Sequence, residues 1–484
     1  MGAIRMIIRG AERTARWLLE AWRGLSLDAR VVGTVAVGNW LLLFANHTTV
    51  AATSDQTLWR LFPGIGGPIF LAVAGAVAFS YPFRDRRQGA SFTPRGRWLH
   101  LAVILAVFVI VPTIASIVLR ETGKPYTYIH DGALMIEEAA RKLLGGHNPY
   151  ATDYLDTPLY YWPMVNNPAL YHLTYFPFLF LITVPFVWAF DHLGVFWDQR
   201  YLYLPAFVAT LAVLPLLVKR THHRIALAAL VGLNPQLFPF VVEGRNDFFV
   251  LFFLFAGIAL LQRERRSWAS LAIAAAAAAK LHALFLLPFL AVYLVATRKP
   301  KTIGQAARAL APAIPAAVFL AITFVPFLVN DWGAFYDDVV RYNAGGAAWT
   351  YPISGMGFSA FLLWLGAIEY RQADFPFAAI ELAVATPIAL YTLYRLWRLP
   401  TIALMLTGYA LTLLAFLFFG RYFQGNYLGY ILAVASPVPL LIREARPVRR
   451  PKRRRAIAAR ATPPATATAT IGLVTGAAEA RSVE

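Results

Sequence analysis

Residues 98–119 read WLHLAVILAVFVIVPTIASIVL, and no Lys, Arg, Asp or Glu interrupts them. They follow 84–97, RDRRQGASFTPRGR, which sets five arginines against one aspartate. A helix needs about 20 apolar residues to cross a hydrocarbon core, and short basic loops stay on the cytoplasmic side. The pair therefore reads as a membrane span entered from the cytoplasm. The same alternation recurs along the chain. Further spans are predicted near 31–47, 64–83, 201–218, 225–242, 247–261, 309–329, 375–394, 401–419 and 428–442, and 267–297 is long enough for two short helices. Basic loops recur at 219–224, 262–266, 298–308 and 395–398, and from 443 onward.

Composition agrees. The 484 residues are 59% hydrophobic and only 14% charged, where soluble chains carry about 25% charged residues. Lys and Arg number 44 against 25 Asp and Glu, a formal charge of +19. Because the basic residues sit in loops between apolar stretches, they argue for membrane orientation and not for a nucleic-acid partner. With no cysteine, disulfides, thiolate metal sites and a cysteine nucleophile are excluded.

Parity completes the expected topology. Two cytoplasmic loops must be separated by an even number of crossings, so one of 98–119, 171–190 and 201–218 does not cross. Pro177 and Pro185 interrupt 171–190, which is read as interfacial or re-entrant. The same count makes 354–370 an external interfacial helix. The expectation is an all-α, polytopic transmembrane protein with about twelve crossings (ten to fourteen), external amphipathic surface helices and both ends cytoplasmic. Three parts follow: a cytoplasmic amphipathic segment over 1–30, a transmembrane unit over 31–442 with external loops 120–170 and 330–353, and a basic tail over 443–484 that meets anionic membrane lipids.

Ionisable residues so near hydrocarbon are functional candidates by default. In the first external loop, His130-Asp131-Gly132 precedes a helix with Ile136, Ala140, Leu143 and Leu144 on one face and Glu137, Glu138, Arg141 and Lys142 on the other. This pattern predicts a helix lying on the membrane surface with i,i+4 ion pairs, ended by Gly145-Gly146 and followed by His147-Asn148-Pro149-Tyr150. Asp131 reads either as a helix cap or as a general base for a sugar hydroxyl.

The turn Glu243-Gly244-Arg245-Asn246-Asp247 joins two apolar helices, and there Asp247 reads as a cap or as part of a site. Lys280, with His282 just beyond it, follows six alanines and sits either at an external hairpin apex, where it could meet a phosphate, or inside one long helix. In the later loop, Asp331, Asp337, Asp338 and Arg341 accompany Trp332, Trp349 and Tyr351. Arg421 stands with Tyr422, Gln424 and Asn426. Both groups suit sugar binding or an ordinary interfacial belt. No histidine cluster has metal-site spacing, and a divalent metal is left open.

Asp131 with Gly146-His147-Asn148-Pro149-Tyr150, then Asn234-Pro235 leading to Gly244-Arg245-Asn246-Asp247, then the alanine-rich helix with Lys280 before Leu287-Pro288, stand in an order that resembles the C superfamily of membrane glycosyltransferases. Within it, the order resembles the bacterial polyprenyl-phosphate-dependent mannosyltransferase-like family. The resemblance implies a polyprenyl-phosphate-sugar donor, a lipid or glycan acceptor, and an active site on the external face of the plasma membrane. It also implies that Asp131 is the base of an inverting displacement supported by Asp247. Arg245, Lys280, His282, Arg341 and Arg421 are the donor-phosphate candidates. His130, Tyr150, Asn246 and Trp349 are the acceptor or sugar candidates. The family commonly has Gln where Arg245 stands. The alternatives are a lipid-linked oligosaccharide flippase, a polysaccharide polymerase using Arg341 and Arg421, or a membrane scaffold.

Overall fold

A computed structural model describes residues 20–45, 57–164 and 167–445. The first part of the expected amphipathic N-terminal segment and the basic tail from 446 lie outside the described residues. In chain order the first helices are α1 (Leu27–Ala45), α2 (Gly66–Gln88), α3 (Pro94–Thr122), α4 (Asp131–Leu144) and α5 (Pro177–Leu193). Next come α6 (Arg200–Leu217), α7 (Thr221–Gly232), α8 (Phe238–Glu243), α9 (Asp247–Gln262) and α10 (Arg266–Ala279). The chain continues through α11 (Leu281–Ala296), α12 (Ile303–Asn330), α13 (Phe377–Arg398), α14 (Ile402–Phe418) and α15 (Gly425–Ala445). Two short strands, β1 (Ser354–Gly355) and β2 (Tyr422–Phe423), pair in parallel.

Among the described residues seven helices are long and apolar enough to cross a membrane: α1, α2, α3, α6, α12, α13 and α15. The shorter apolar helices α5, α9, α11 and α14 accompany them. Large apolar side chains such as Phe83, Leu99, Ile322 and Val329 stand exposed on the outside, an arrangement that is stable where lipid is the solvent. α3 widens into a π turn at Ala106–Ile110 ahead of Pro112. The proline nitrogen cannot donate one turn back, and the widened turn takes up the missing bond.

Several segments are built differently from expectation. The apolar stretch 225–242 is broken into α7 and α8 at Asn234-Pro235. The freed backbone there is satisfied by protein: Asn39 Nδ2 donates to the Leu233 carbonyl at 2.7 Å, and Gln236 N donates to Asn234 Oδ1 at 3.0 Å. The stretch 267–297, by contrast, forms the two helices its length allowed, separated at Lys280. Within 354–370 only Phe358–Trp364 is helical.

The largest correction concerns α4. It does not lie on a surface. Residues Asp131 to Ala140 are buried all round, and α4 packs against α5. Glu137 meets Arg120 at 2.7 Å, Glu138 meets Arg141 three residues on at 2.8 Å, and Lys142 reaches Asp156 at 2.7 Å. The expected i,i+4 pairs are replaced by these partners, two of them from outside the helix, which let a charged face turn inward.

The helix ends sort into two sets. The start of α1, the end of α2 and the start of α3 meet where Arg97 bridges Asp28 at 2.9 Å and Asp85 at 2.5 Å. His222, in the first turn of α7, also reaches Asp28 at 2.5 Å, and Glu444 at the end of α15 accepts from Lys219 N and Arg220 N. The basic loops 84–97 and 219–224 therefore share one end of the bundle. Each of α3, α9 and α15 carries the chain between that end and the opposite one, where 122–131, 243–247 and 418–425 lie.

Candidate active site

Residues from these opposite helix ends line a cavity of about 420 Å³. His130 holds the N-cap position of α4, with its own N–H donating to the Glu243 carbonyl at 2.8 Å. Asp131 is thus the first helical residue and not the cap, placed where the helix dipole favours a negative charge. His130 Nδ1 lies 3.0 Å from Gly132 N and 2.7 Å from Asp131 Oδ1. One ring nitrogen cannot accept from the first while donating to the second. Gly132 N is itself 2.7 Å from Oδ1, so the carboxylate is the shared acceptor. Oδ2 has no hydrogen-bond partner among the described residues, and Asp131 is on the cavity wall.

Burial alone would raise the Asp131 carboxyl. The His130 imidazole, the bond to that ring, the Arg245 charge and the Gly132 N–H outweigh it and hold the group below the ordinary aspartate value. The Tyr175 hydroxyl packs so close to Gly132 that an added Cβ would sit 2.0 Å from it. Glycine here is a steric requirement of the tyrosine beside the aspartate.

The turn after α8 needs Gly244 for its left-handed φ of 85°. It delivers Arg245, whose Nε donates to Glu243 Oε2 at 2.7 Å while the guanidinium lies 4.2 Å from the Phe240 ring centroid. Asp247 opens α9 but caps nothing. Its Oδ1 accepts from Lys280 Nζ at 2.7 Å and its Oδ2 from Asn426 Nδ2 at 3.1 Å. Asp247 is 1% exposed and absent from the cavity wall. It is the counter-ion of Lys280, which also donates to Asn246 Oδ1 at 3.0 Å. Lys280 itself is extended (φ −154°, ψ 137°) between α10 and α11, and this break turns its ammonium to the wall. His282 also lines the cavity, with a buried Nδ1 that has no hydrogen-bond partner among the described residues.

The remaining predicted residues divide. Arg245, Asn246, Lys280, His282, His130 and Arg421 share the wall with Asp131. Arg421 is 1% exposed and donates to the carbonyls of Tyr351, Ala373 and Arg371, so its donors hold loops together. Three others are not on the wall. Arg341 is exposed and pairs with Asp337 at 2.7 Å. Trp349 stacks on Tyr171 at 5.2 Å. Tyr150 is buried, its hydroxyl donating to the Tyr175 carbonyl at 2.7 Å. It positions the tyrosine that touches Gly132.

Sequence reasoning missed Tyr175, Tyr342, Asn343, Tyr427 and Glu381, all on the wall. Tyrosines in apolar runs and a lone acid in a span carry no spacing signal. The roof over the cavity includes Val339 and Tyr342 and is pinned by Asp338, which bonds His172 Nδ1 at 2.7 Å and Leu173 N at 2.9 Å. Burial pushes the Asp338 carboxyl up to about 6 in spite of those bonds. Among the described residues no group of three or more His, Cys, Asp or Glu could hold a metal ion, so the divalent metal left open above has no such donor set here.

The lining also includes apolar side chains, among them Leu281, Val339, Leu382, Phe416 and Leu417.

Residues 122–296 match the family model described as alpha-(1->6)-mannopyranosyltransferase, N-terminal domain. That stretch contains Asp131, Arg245 and Lys280, while Glu381, Arg421 and Tyr427 lie beyond it. The match supports a mannosyltransferase-like membrane glycosyltransferase. No curated protein and no solved structure matches the chain.

Proposed function

We propose that this protein transfers mannose from a polyprenyl-phosphate donor to a hydroxyl of a lipid or glycan acceptor, by inverting displacement on the external face of a bacterial plasma membrane. The observation that carries the reading is Asp131: a carboxylate with one oxygen held by His130 and Gly132 and the other free at a cavity that also presents Arg245 and Lys280.

In the reaction, Asp131 Oδ2 takes the proton of the acceptor hydroxyl as its oxygen attacks the anomeric carbon. The bond from that carbon to the phosphate oxygen breaks, and the bonding pair leaves with the polyprenyl phosphate. Lys280 and Arg245 supply positive charge where the phosphate becomes more negative, so stabilisation grows as the bond breaks. Their carboxylate partners, Asp247 and Glu243, hold both cations in place before substrate arrives. A carboxyl held below its ordinary pKa is ionised throughout the neutral range and ready to accept a proton.

Orientation follows from the two sets of helix ends. Basic loops mark the cytoplasmic side, and the cavity is formed at the other end of α3, α9 and α15. The polyprenyl tail stays in lipid while its phosphate reaches the cavity at headgroup depth. A polymerase reading draws on Arg341 and Arg421, yet one pairs with Asp337 off the wall and the other is occupied by carbonyls.

The test is transfer from radiolabelled polyprenyl-phosphate-mannose by purified protein in vesicles. Wild type is expected to release sugar from the lipid, and Asp131→Asn to remain folded and lose transfer. Undiminished transfer by the variant removes Asp131 from the role of base.

A further inference from the structure

We infer that Glu381 is a specificity-determining residue of this cavity, its carboxyl hydrogen-bonding sugar hydroxyls. The inference rests on the glycosyltransferase reading and extends it to a residue outside the family match. Glu381 lies one turn into α13 and lines the cavity that Asp131 lines. It forms no hydrogen bond or ion pair with any described residue.

That sets it apart. Glu137, Glu138, Asp198 and Glu243 each have a basic partner within 3 Å, and Asp247 has Lys280. A carboxyl at membrane depth is costly and is normally satisfied, so one left without a partner at a cavity wall has its bonding capacity reserved for a ligand. The ligand is not a phosphate, since no basic side chain pairs with Glu381 and like charges repel. Adjacent hydroxyls on a sugar ring suit it, because the two oxygens of one carboxylate can each accept an O–H bond.

Local packing makes room for the group. Gly420 leaves the space its carboxyl occupies, since a Cβ there would stand 2.3 Å from Glu381 Oε1. Leu382, Phe416 and Leu417 around it are apolar, and hydrogen bonds made in such surroundings are strengthened by the low local dielectric. The sugar is either the one carried by the donor or one belonging to the acceptor; both offer the same hydroxyl chemistry.

The experiment measures KM and kcat for Glu381→Leu and Glu381→Gln. Polyprenyl-phosphate-mannose and an alkyl mannoside acceptor are varied in turn, and folding is checked by size exclusion in detergent. Loss of charge-assisted hydrogen bonds is expected to raise one KM roughly 10- to 100-fold in the leucine variant with kcat little changed. The glutamine variant should fall between, and it carries the test if the leucine protein does not fold. The KM that moves identifies which sugar Glu381 holds. Wild-type transfer with both KM values unchanged in the variants overturns this inference alone. A wild type with neither transfer nor a sugar-dependent rise in melting temperature overturns it together with the function on which it rests.

Discussion

Two buried clusters of charge flank α4, and they are built from the same residue types. On one side Arg120 grips both oxygens of Glu137 at 2.9 and 2.7 Å and reaches Asp198 at 2.8 Å. Arg200 closes on Asp198 at 2.8 and 2.7 Å and donates to Ser116 and to the carbonyls of Tyr128 and Val242. On the other side stand Asp131, Arg245, Lys280 and Asp247. Both clusters sit at ends of apolar helices, where ionisable residues are presumed functional. The first is saturated, and none of Arg120, Glu137, Asp198 and Arg200 is on the wall of the cavity that Asp131 lines. The second leaves Asp131 Oδ2 without a hydrogen-bond partner among the described residues and presents two cations to an open space. Bonding capacity left over, more than charge or burial, separates a site from a brace.

The widest separation between the two clusters is expected from Asp131→Asn. It should lower kcat/KM by about 10²- to 10⁴-fold without moving the melting midpoint, and a matching loss of stability would make Asp131 a brace. Arg120→Met should do the reverse. Leaving Glu137 without its cation in a dry interior is expected to cost about 3–5 kcal/mol, read as a lowered midpoint of thermal unfolding in detergent. An unchanged midpoint would place this cluster among the dispensable ones.

Lys280→Met tests the second cluster at its cationic side. About a 10- to 100-fold fall in kcat/KM is expected, and a change confined to stability would leave Lys280 only a partner for Asp247. The smallest effect is a pH response that should be nearly flat. Asp131 is held below its ordinary value, so its base form persists above that lowered pKa, and any stability it adds is lost only as pH falls through it. The kcat/KM profile is expected to be level from about pH 5 to pH 8, with its acid limb below about 4. An acid limb near 6 would point to another group, with Asp338 the first to examine.

Hydropathy along the chain made the span 98–119 and the paired stretch 267–297 easy to anticipate, because each is a property of a few consecutive residues, while the break at Asn234-Pro235 inside the apolar run 225–242 was not read from it. Asp131, Arg245 and Lys280 stood out as charges in apolar company. Periodicity misread α4. A polar stripe of Glu137 and Glu138 can face water or can face Arg120 and Arg141, and the pattern is identical in both cases. The partner of Asp247 was hidden for a related reason: its spacing from Arg245 says nothing of Lys280, 33 residues away. Tyr175 and Glu381 gave no signal at all, one merged into an apolar run and the other a single acid in a span.

From order of residues alone came the membrane-spanning helices, the basic loops gathered at one end, and a short roster of ionisable side chains at the other. These are local sums of transfer free energy, and neighbouring residues suffice to compute them. Which of those side chains are spent on one another and which face an open cavity was settled in three dimensions. Partners such as Arg245 and Asn426 lie 181 residues apart, and a hydrogen bond depends on where two atoms meet, a quantity no stretch of chain contains.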